Sequence, residues 1–151
     1  MWGCHDFASP GGVKLLMIES DHNDRALLAW AAEHADVQIF LTSVQICDEA
    51  IDYLEGRGRY AERLLHPIPD LLVLDLKLPG MSGQDFLQWR QSSTLAAQVP
   101  VALFTAVVDP AEIQMAVRTG GAEFVHKPDP LTDWLQAARR IWEFGMARRQ
   151  H

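Results

Sequence analysis

Lysine is scarce in this chain: the 151 residues hold three, Lys14, Lys77 and Lys127, and the 13 basic residues face 20 acidic ones. The resulting formal net charge of −7 leaves no basic footprint for a nucleic-acid backbone or an anionic membrane surface, so neither is an expected partner. Arg139, Arg140, Arg148 and Arg149 make one small late patch, which reads as a solvated helix end. Cysteine is also sparse. Cys4 and Cys47 lie far apart without metal-ligand spacing, which excludes a disulfide framework and a zinc site and fits a reducing compartment. No apolar run approaches the roughly 18 residues that a membrane span needs. The start, Met1-Trp2-Gly3-Cys4-His5-Asp6, lacks the basic and long apolar regions of a secretory signal, so a cytoplasmic location is expected. Internal repeats and low-complexity blocks are missing too.

What remains is the ordinary mix of a globular domain, with 48% apolar and 22% charged residues. A chain this long buries roughly two-thirds of its unfolded surface, enough for one core without staples. Residues 1–12, ending in Ser9-Pro10-Gly11-Gly12, read as a flexible arm; residues 13–145 form the domain and 146–151 a tail. Along the domain, strands and helices alternate. Short apolar runs predict strands over residues 13–18, 37–41, 71–74, 100–104 and 123–125. The 71–74 run is apolar on both faces, as a central parallel strand should be.

Helices are predicted between these runs. The first is capped by Asn23 or Asp24 and carries Leu27, Trp30, Ala31 and His34 at helical spacing. The second covers residues 44–54 and resumes over 60–65 after Gly56-Arg57-Gly58. Prolines in His66-Pro67-Ile68-Pro69 then force an extended connection. The third follows the turn Pro79-Gly80-Met81-Ser82-Gly83 and spans 84–91. The fourth opens at Asp109-Pro110 and closes at Gly120-Gly121. The fifth spans 131–145, with Leu131, Leu135, Ala138 and Trp142 on one side. Trp134, Trp142 and Phe144 do not all fit inward on that reading, which leaves part of the helix for a partner.

Five strands alternating with five helices imply a doubly wound α/β fold: a five-stranded parallel sheet with helices on both faces and right-handed crossovers. Ligands bind such sheets beyond the carboxyl ends of the strands. The residues there are Glu19-Ser20-Asp21, Asp75-Leu76-Lys77, Thr105-Ala106 and Lys127-Pro128, so two of the three lysines fall at this edge. Carboxylates gathered at one rim repel one another, and a hard divalent cation such as Mg²⁺ relieves that repulsion. A carboxylate also serves as a nucleophile that forms an aspartyl phosphate. A nearby hydroxyl and ammonium group then suit the phosphoryl oxygens.

The run from Ile68 through Asp75-Leu76-Lys77-Leu78-Pro79-Gly80 to Gly83 resembles the phosphoacceptor segment of the response-regulator receiver family. Val99-Pro100-Val101-Ala102-Leu103-Phe104-Thr105-Ala106 resembles its switch-hydroxyl segment, and Gly121-Ala122-Glu123-Phe124-Val125-His126-Lys127-Pro128 its lysine–proline segment. The resemblance spans residues 12–145 and implies a flavodoxin-like sheet of order 2-1-3-4-5. It implies that Asp75 is the phosphorylated aspartate, and that Mg²⁺ is held by Glu19, Asp75 and the backbone carbonyl of Lys77. Thr105 and Ala106 would hold the switch and phosphate-binding place, Lys127 would bridge to the phosphoryl group, and Phe124 matches the switch aromatic, though it reads equally as plain core. A cis bond is implied before Pro128. The implied partners are a sensor histidine kinase or phosphotransfer protein, a downstream protein target, and a second copy of the chain through the face of helix 4, strand 5 and helix 5. The long connection from Gly56 to Pro69 is similar to stand-alone regulators associated with phytochrome-type kinases.

Two departures stand out. The family usually has two adjacent acids after the first strand; here Ser20 holds the second place and Asp21 follows it. Successive side chains at a strand end point in different directions, so Asp21 need not replace the missing ligand. Val107 stands where the family often has a polar residue, an apolar neighbour expected to slow loss of the phosphoryl group. The expected function is therefore a single-domain response regulator, not an enzyme, with no room left for a DNA-binding output domain. The alternative is a pseudo-receiver, an interaction module that Ser20 keeps from being phosphorylated. A haloacid-type phosphatase needs a second aspartate where Lys77 stands, and a nucleotide-binding flavodoxin relative needs a Gly-rich loop that the first strand lacks.

Overall fold

The computed structural model describes residues 12–107, 109–121, 123–128 and 133–148. The strands are β1 (Gly12–Ile18), β2 (Gln38–Val44), β3 (Leu71–Leu74), β4 (Val101–Thr105) and β5 (Glu123–His126). The helices are α1 (His22–His34), α2 (Cys47–Glu55), α3 (Gly83–Ser92), α4 (Pro110–Arg118) and α5 (Asp133–Arg148). The sheet runs β2-β1-β3-β4-β5 with every neighbouring pair parallel, the doubly wound order expected.

Period-2 alternation builds two cores, one on each face of this sheet. Leu16, Ile18, Leu72, Leu74, Val101 and Leu103 face α2, α3 and α4, whose Ala50, Leu54, Phe86, Leu87 and Ala116 close that side. Val13, Leu15, Met17, Leu71, Val73, Ala102 and Phe104 face α1 and α5, through Leu28, Ala31, Trp134, Ala138 and Ile141. All four residues of β3 are buried, which places it at the centre. Each fully buried leucine or phenylalanine contributes about 2 kcal/mol by leaving water.

Several boundaries differ from expectation. β2 runs to Val44, because Val44 pairs with Ile18 and extends the edge strand, so α2 starts only at Cys47. Asp21, not Asn23 or Asp24, caps α1 by accepting from the Asp24 amide at 3.0 Å. Residues 60–65 do not resume α2; only a 3-10 turn at Gly58–Tyr60 forms. Gly56 takes the left-handed conformation (φ 69°) at the end of α2. The Arg63 guanidinium then donates to the Tyr53 and Leu54 carbonyls at 2.8 and 2.7 Å, satisfying the helix end with a side chain instead of more helix.

α5 continues through Gly145 to Arg148, past the expected end of the domain. Gly145 is a close-approach residue, since a Cβ there would lie 2.8 Å from Val13. Its three large aromatics all pack on the sheet: Trp134 and Phe144 are buried and Trp142 is half-buried against the same core. At 3.6 residues per turn, Trp142 and Phe144 lie about 80° to either side of Trp134. One broad stripe therefore takes all three, and the expectation of an aromatic left over for a partner does not hold. Leu131, the arm before Gly12 and residues 149–151 lie outside the described residues. Cys47 is free and buried, and its thiol is pushed up to about 12 by burial and then by Asp48 and Asp85. No helix among the described residues is long and apolar enough to cross a membrane.

Candidate functional site

Backbone hydrogen bonds carry the sheet one residue beyond its strands and fix three site residues. The Glu19 amide donates to the Val44 carbonyl at 3.0 Å, Asp75 to Ile18 at 3.2 Å, and Lys127 to Thr105 at 3.0 Å. Each side chain is thus delivered from a rigid strand end to the same edge. Gly83 closes the floor: its amide donates to the Leu76 carbonyl at 3.2 Å. A Cβ at Gly83 would meet the Asp75 carbonyl at 2.6 Å, so only glycine lets α3 begin this close to the loop that carries Asp75.

Lys127 is the hub. Its Nζ lies 2.6 Å from Glu19 Oε1, 2.8 Å from Asp75 Oδ2 and 2.8 Å from Asp24 Oδ2. An ammonium has three donors, and here three carboxylates surround it. Glu19 and Asp75 are almost fully enclosed, with side-chain exposures of 2% and 7%. Asp75 Oδ1 also accepts from the Lys77 amide at 3.3 Å. Glu19 is held further by the Asp21 amide, which donates to Oε2 at 3.1 Å, and by Arg25, which donates to its carbonyl at 2.9 Å. Oε1 of Glu19 accepts no hydrogen bond among the described residues, so Lys127 reaches it as a close ion pair without hydrogen-bond geometry.

The electrostatics follow. Burial pushes the Glu19 carboxyl up to about 7, opposed by Lys127 and the Asp21 amide and assisted by the charge on Asp75. For Lys127, burial works against the charged form, but the hydrogen bonds it donates to Asp24 and Asp75, with the close ion pair to Glu19, outweigh it and hold the ammonium above its ordinary value. Three carboxylates against one ammonium leave excess negative charge in a poorly hydrated pocket.

The other expected residues divide. Thr105 is buried at the end of β4, and its Oγ1 accepts from the Val107 amide at 3.2 Å. Ala106 is exposed beside it, and Val107 is buried. Phe124 is half-buried, packs against the core that faces α2, α3 and α4, and makes an edge contact with His126 at 6.4 Å. The Lys77 side chain points away to Glu112 at 3.8 Å, leaving its backbone at the site. Asp21 is exposed, and its Oδ1 is spent on capping α1. Asp24 takes a place at the pocket that the sequence had offered only as a cap. No peptide bond among the described residues is cis, so the bond before Pro128 is trans, against expectation. The trans form is the lower in energy for an X–Pro bond, and Lys127 already reaches all three carboxylates with it.

A family model described as the response regulator receiver domain matches residues 15–139. The chain belongs to that family. Among relatives of this receiver, the two-component response regulator ARR7 of Arabidopsis thaliana is 33% identical over 95 residues, 62% of this chain and 46% of ARR7. The receiver therefore spans about half the length of that relative. A crystal structure of the response regulator RPA3017 in red light signaling of R. palustris has a TM-score of 0.83 at 24% identity, covering 91% of this chain and 96% of that one. The bacteriophytochrome response regulator AtBRR gives a TM-score of 0.69 at 26% identity, covering 85% and 91%.

Proposed function

We propose that this receiver takes a phosphoryl group on Asp75 from a sensor histidine kinase or phosphotransfer protein and signals through protein contacts. The supporting observation is the convergence of Glu19, Asp75 and Lys127 within hydrogen-bond distance at the carboxyl edge of the sheet. In the transfer, the P–N bond of a phosphohistidine breaks as a P–O bond forms to an Asp75 carboxylate oxygen. The imidazole nitrogen leaves with the electron pair and then takes a proton. Lys127 balances charge on the new phosphoryl oxygens. Because Thr105 Oγ1 accepts from the Val107 amide, its own hydrogen is available to a phosphoryl oxygen.

Mg²⁺ fits the residues present. The donors are hard oxygens, the pocket is over-supplied with negative charge, and Glu19 Oε1 is buried without a hydrogen bond. Glu19, Asp75 and the Lys77 carbonyl would hold the ion, with waters completing its shell, and it would neutralise charge building on the phosphoryl group. Asp21 is left out of this set because its side chain caps α1.

Phosphorylation then biases a two-state equilibrium through Thr105 and Phe124 and alters the face of α4, β5 and α5. Val117 exposes 46% of its surface on α4, which suits that helix to a contact with a downstream protein or a second copy of the chain. The similarity to AtBRR, described as a bacteriophytochrome response regulator, and to RPA3017, described in red light signaling, supports a stand-alone regulator paired with a phytochrome-type kinase.

A second reading, the unphosphorylated interaction module, is favoured by Ser20. Incubation with acetyl phosphate and Mg²⁺ followed by intact mass separates the two. A gain of about 80 Da, absent in Asp75→Asn, supports acylphosphate formation on the carboxylate. No gain in the wild type supports the interaction module.

A further inference from the structure

The proposed metal set and transfer step leave one contact of the pocket unused, the ion pair between Lys127 and Asp24. Asp24 sits in the first turn of α1, 103 residues from Lys127 in sequence, yet its Oδ2 receives a hydrogen bond of 2.8 Å from Nζ. It differs from the other two carboxylates on the ammonium. Glu19 and Asp75 leave strand ends and are almost enclosed, whereas Asp24 approaches from a helix with 22% of its side chain exposed. Glu19 and Asp75 have two demands on them, the ammonium and a divalent ion. Asp24 has only the first.

We infer that Asp24 is the positioning residue for Lys127: it anchors the ammonium at the pocket when Glu19 and Asp75 turn to a cation or a phosphoryl group. Without it, every anchor of Nζ is also a group needed elsewhere, and Lys127 would leave the pocket as those groups are taken. In a family that usually places a second acid next to the first, this chain has Ser20 at that position and brings an acid to the same lysine from α1. The inference rests on the reading of the pocket as a phosphoacceptor site, but the anchoring itself is measurable without phosphate.

The scarcity of lysine makes the test clean. Native protein is pulsed with an acetylating ester, and the modification of Lys14, Lys77 and Lys127 is followed by peptide mass spectrometry, with and without Mg²⁺. Lys77, whose side chain is 72% exposed and only loosely paired with Glu112 at 3.8 Å, is the internal reference for an exposed amine, and Lys14 on β1 reports any loosening of the fold. In the wild type, Lys127 should be acetylated far more slowly than Lys77, and Mg²⁺ should leave it protected. Asp24→Asn should speed Lys127 by about tenfold, the scale of one charge-assisted hydrogen bond, with a further rise on adding Mg²⁺. Asp24→Glu should restore much of the protection. An unchanged Lys127 rate in Asp24→Asn overturns the inference, as does a rise shared by Lys14, which would mean loosened structure. Failure of acetyl phosphate to add mass to the wild type would instead overturn the phosphoacceptor reading, and the magnesium-free rates would still decide the role of Asp24.

Discussion

Of the clusters among the described residues that pair carboxylates with cations, two are wired in opposite ways. At the rim, Glu19, Asp24 and Asp75 share one ammonium, an enclosed oxygen of Glu19 lacks a hydrogen bond, and burial raises the Glu19 carboxyl to about 7. Beside α2, Glu49 alone receives the Tyr60 hydroxyl and the Arg59 guanidinium, each at 2.8 Å, and the Gln45 amide at 3.2 Å. Burial works against the Glu49 carboxylate, but those donors outweigh it and hold its carboxyl below the usual value. Nearby, Tyr53, Tyr60 and His66 pack as a ring trio with centroids 4.9 to 5.8 Å apart, and the Tyr53 hydroxyl donates to the Pro67 carbonyl at 3.0 Å. The second cluster satisfies its polar atoms within the chain and fixes the 56–69 connection. The first leaves an enclosed oxygen with an ion pair but no hydrogen bond, the contrast expected if that pocket takes a ligand and the other only holds shape.

Removing the hub should have the largest effect. Lys127→Met leaves enclosed carboxylates without their counter-charge and should cost about 3 kcal/mol in urea unfolding with chelator present, the scale of a broken buried pair. Added Mg²⁺ should recover part of that loss. An equal loss with and without Mg²⁺ would erase the distinction between the clusters. Arg63→Ala should come next, at about 2 kcal/mol, because it orphans carbonyls at the end of α2 and strips packing from the connection. Mg²⁺ should not change that value.

The smallest effect is the most diagnostic. A carboxyl raised by folding contributes stability that is full below pH 4.5 and lost as pH rises through about 7, so without divalent ions the cost of Glu19→Gln should shrink, or turn to gain, between pH 5 and 8. A carboxyl lowered by folding contributes stability that is present above its ordinary value and lost as pH falls. Glu49→Gln should therefore cost more at pH 7 than at pH 4. Thermal melts across pH check both. Slopes of the same sign would contradict the contrast.

How far the sequence led depended on the range of the interactions. The strands were legible because β1, β3 and β4 are apolar runs, and the residues just past the strand ends, an acid after β1 and β3, a hydroxyl closing β4 and an ammonium after β5, all fall at the one edge where such sheets bind ligands. Glu19, Asp75, Thr105 and Lys127 were found that way. Asp24 was not. Its neighbourhood offers three capping residues in four positions, Asp21, Asn23 and Asp24, and only the folded helix decides that Asp21 caps while Asp24 turns to the rim. Within the connection, residues 60–65 form no renewed helix because Arg63 finishes α2 from seven residues beyond Gly56, a long-range side-chain contact without local periodicity. The width of the α5 stripe was underestimated for a related reason: Ala137, Ala138 and Gly145 let the helix approach the sheet closely enough to bury both flanks.

The central claim is that the carboxylate of Asp75 is the phosphoacceptor. Borohydride reduces an acyl phosphate to an alcohol, converting a phosphorylated aspartate to homoserine. After acetyl phosphate and Mg²⁺, borohydride treatment and peptide mapping should find homoserine at position 75 and at no other carboxylate. Homoserine at position 21 or 24, or none anywhere in the chain, would contradict the account.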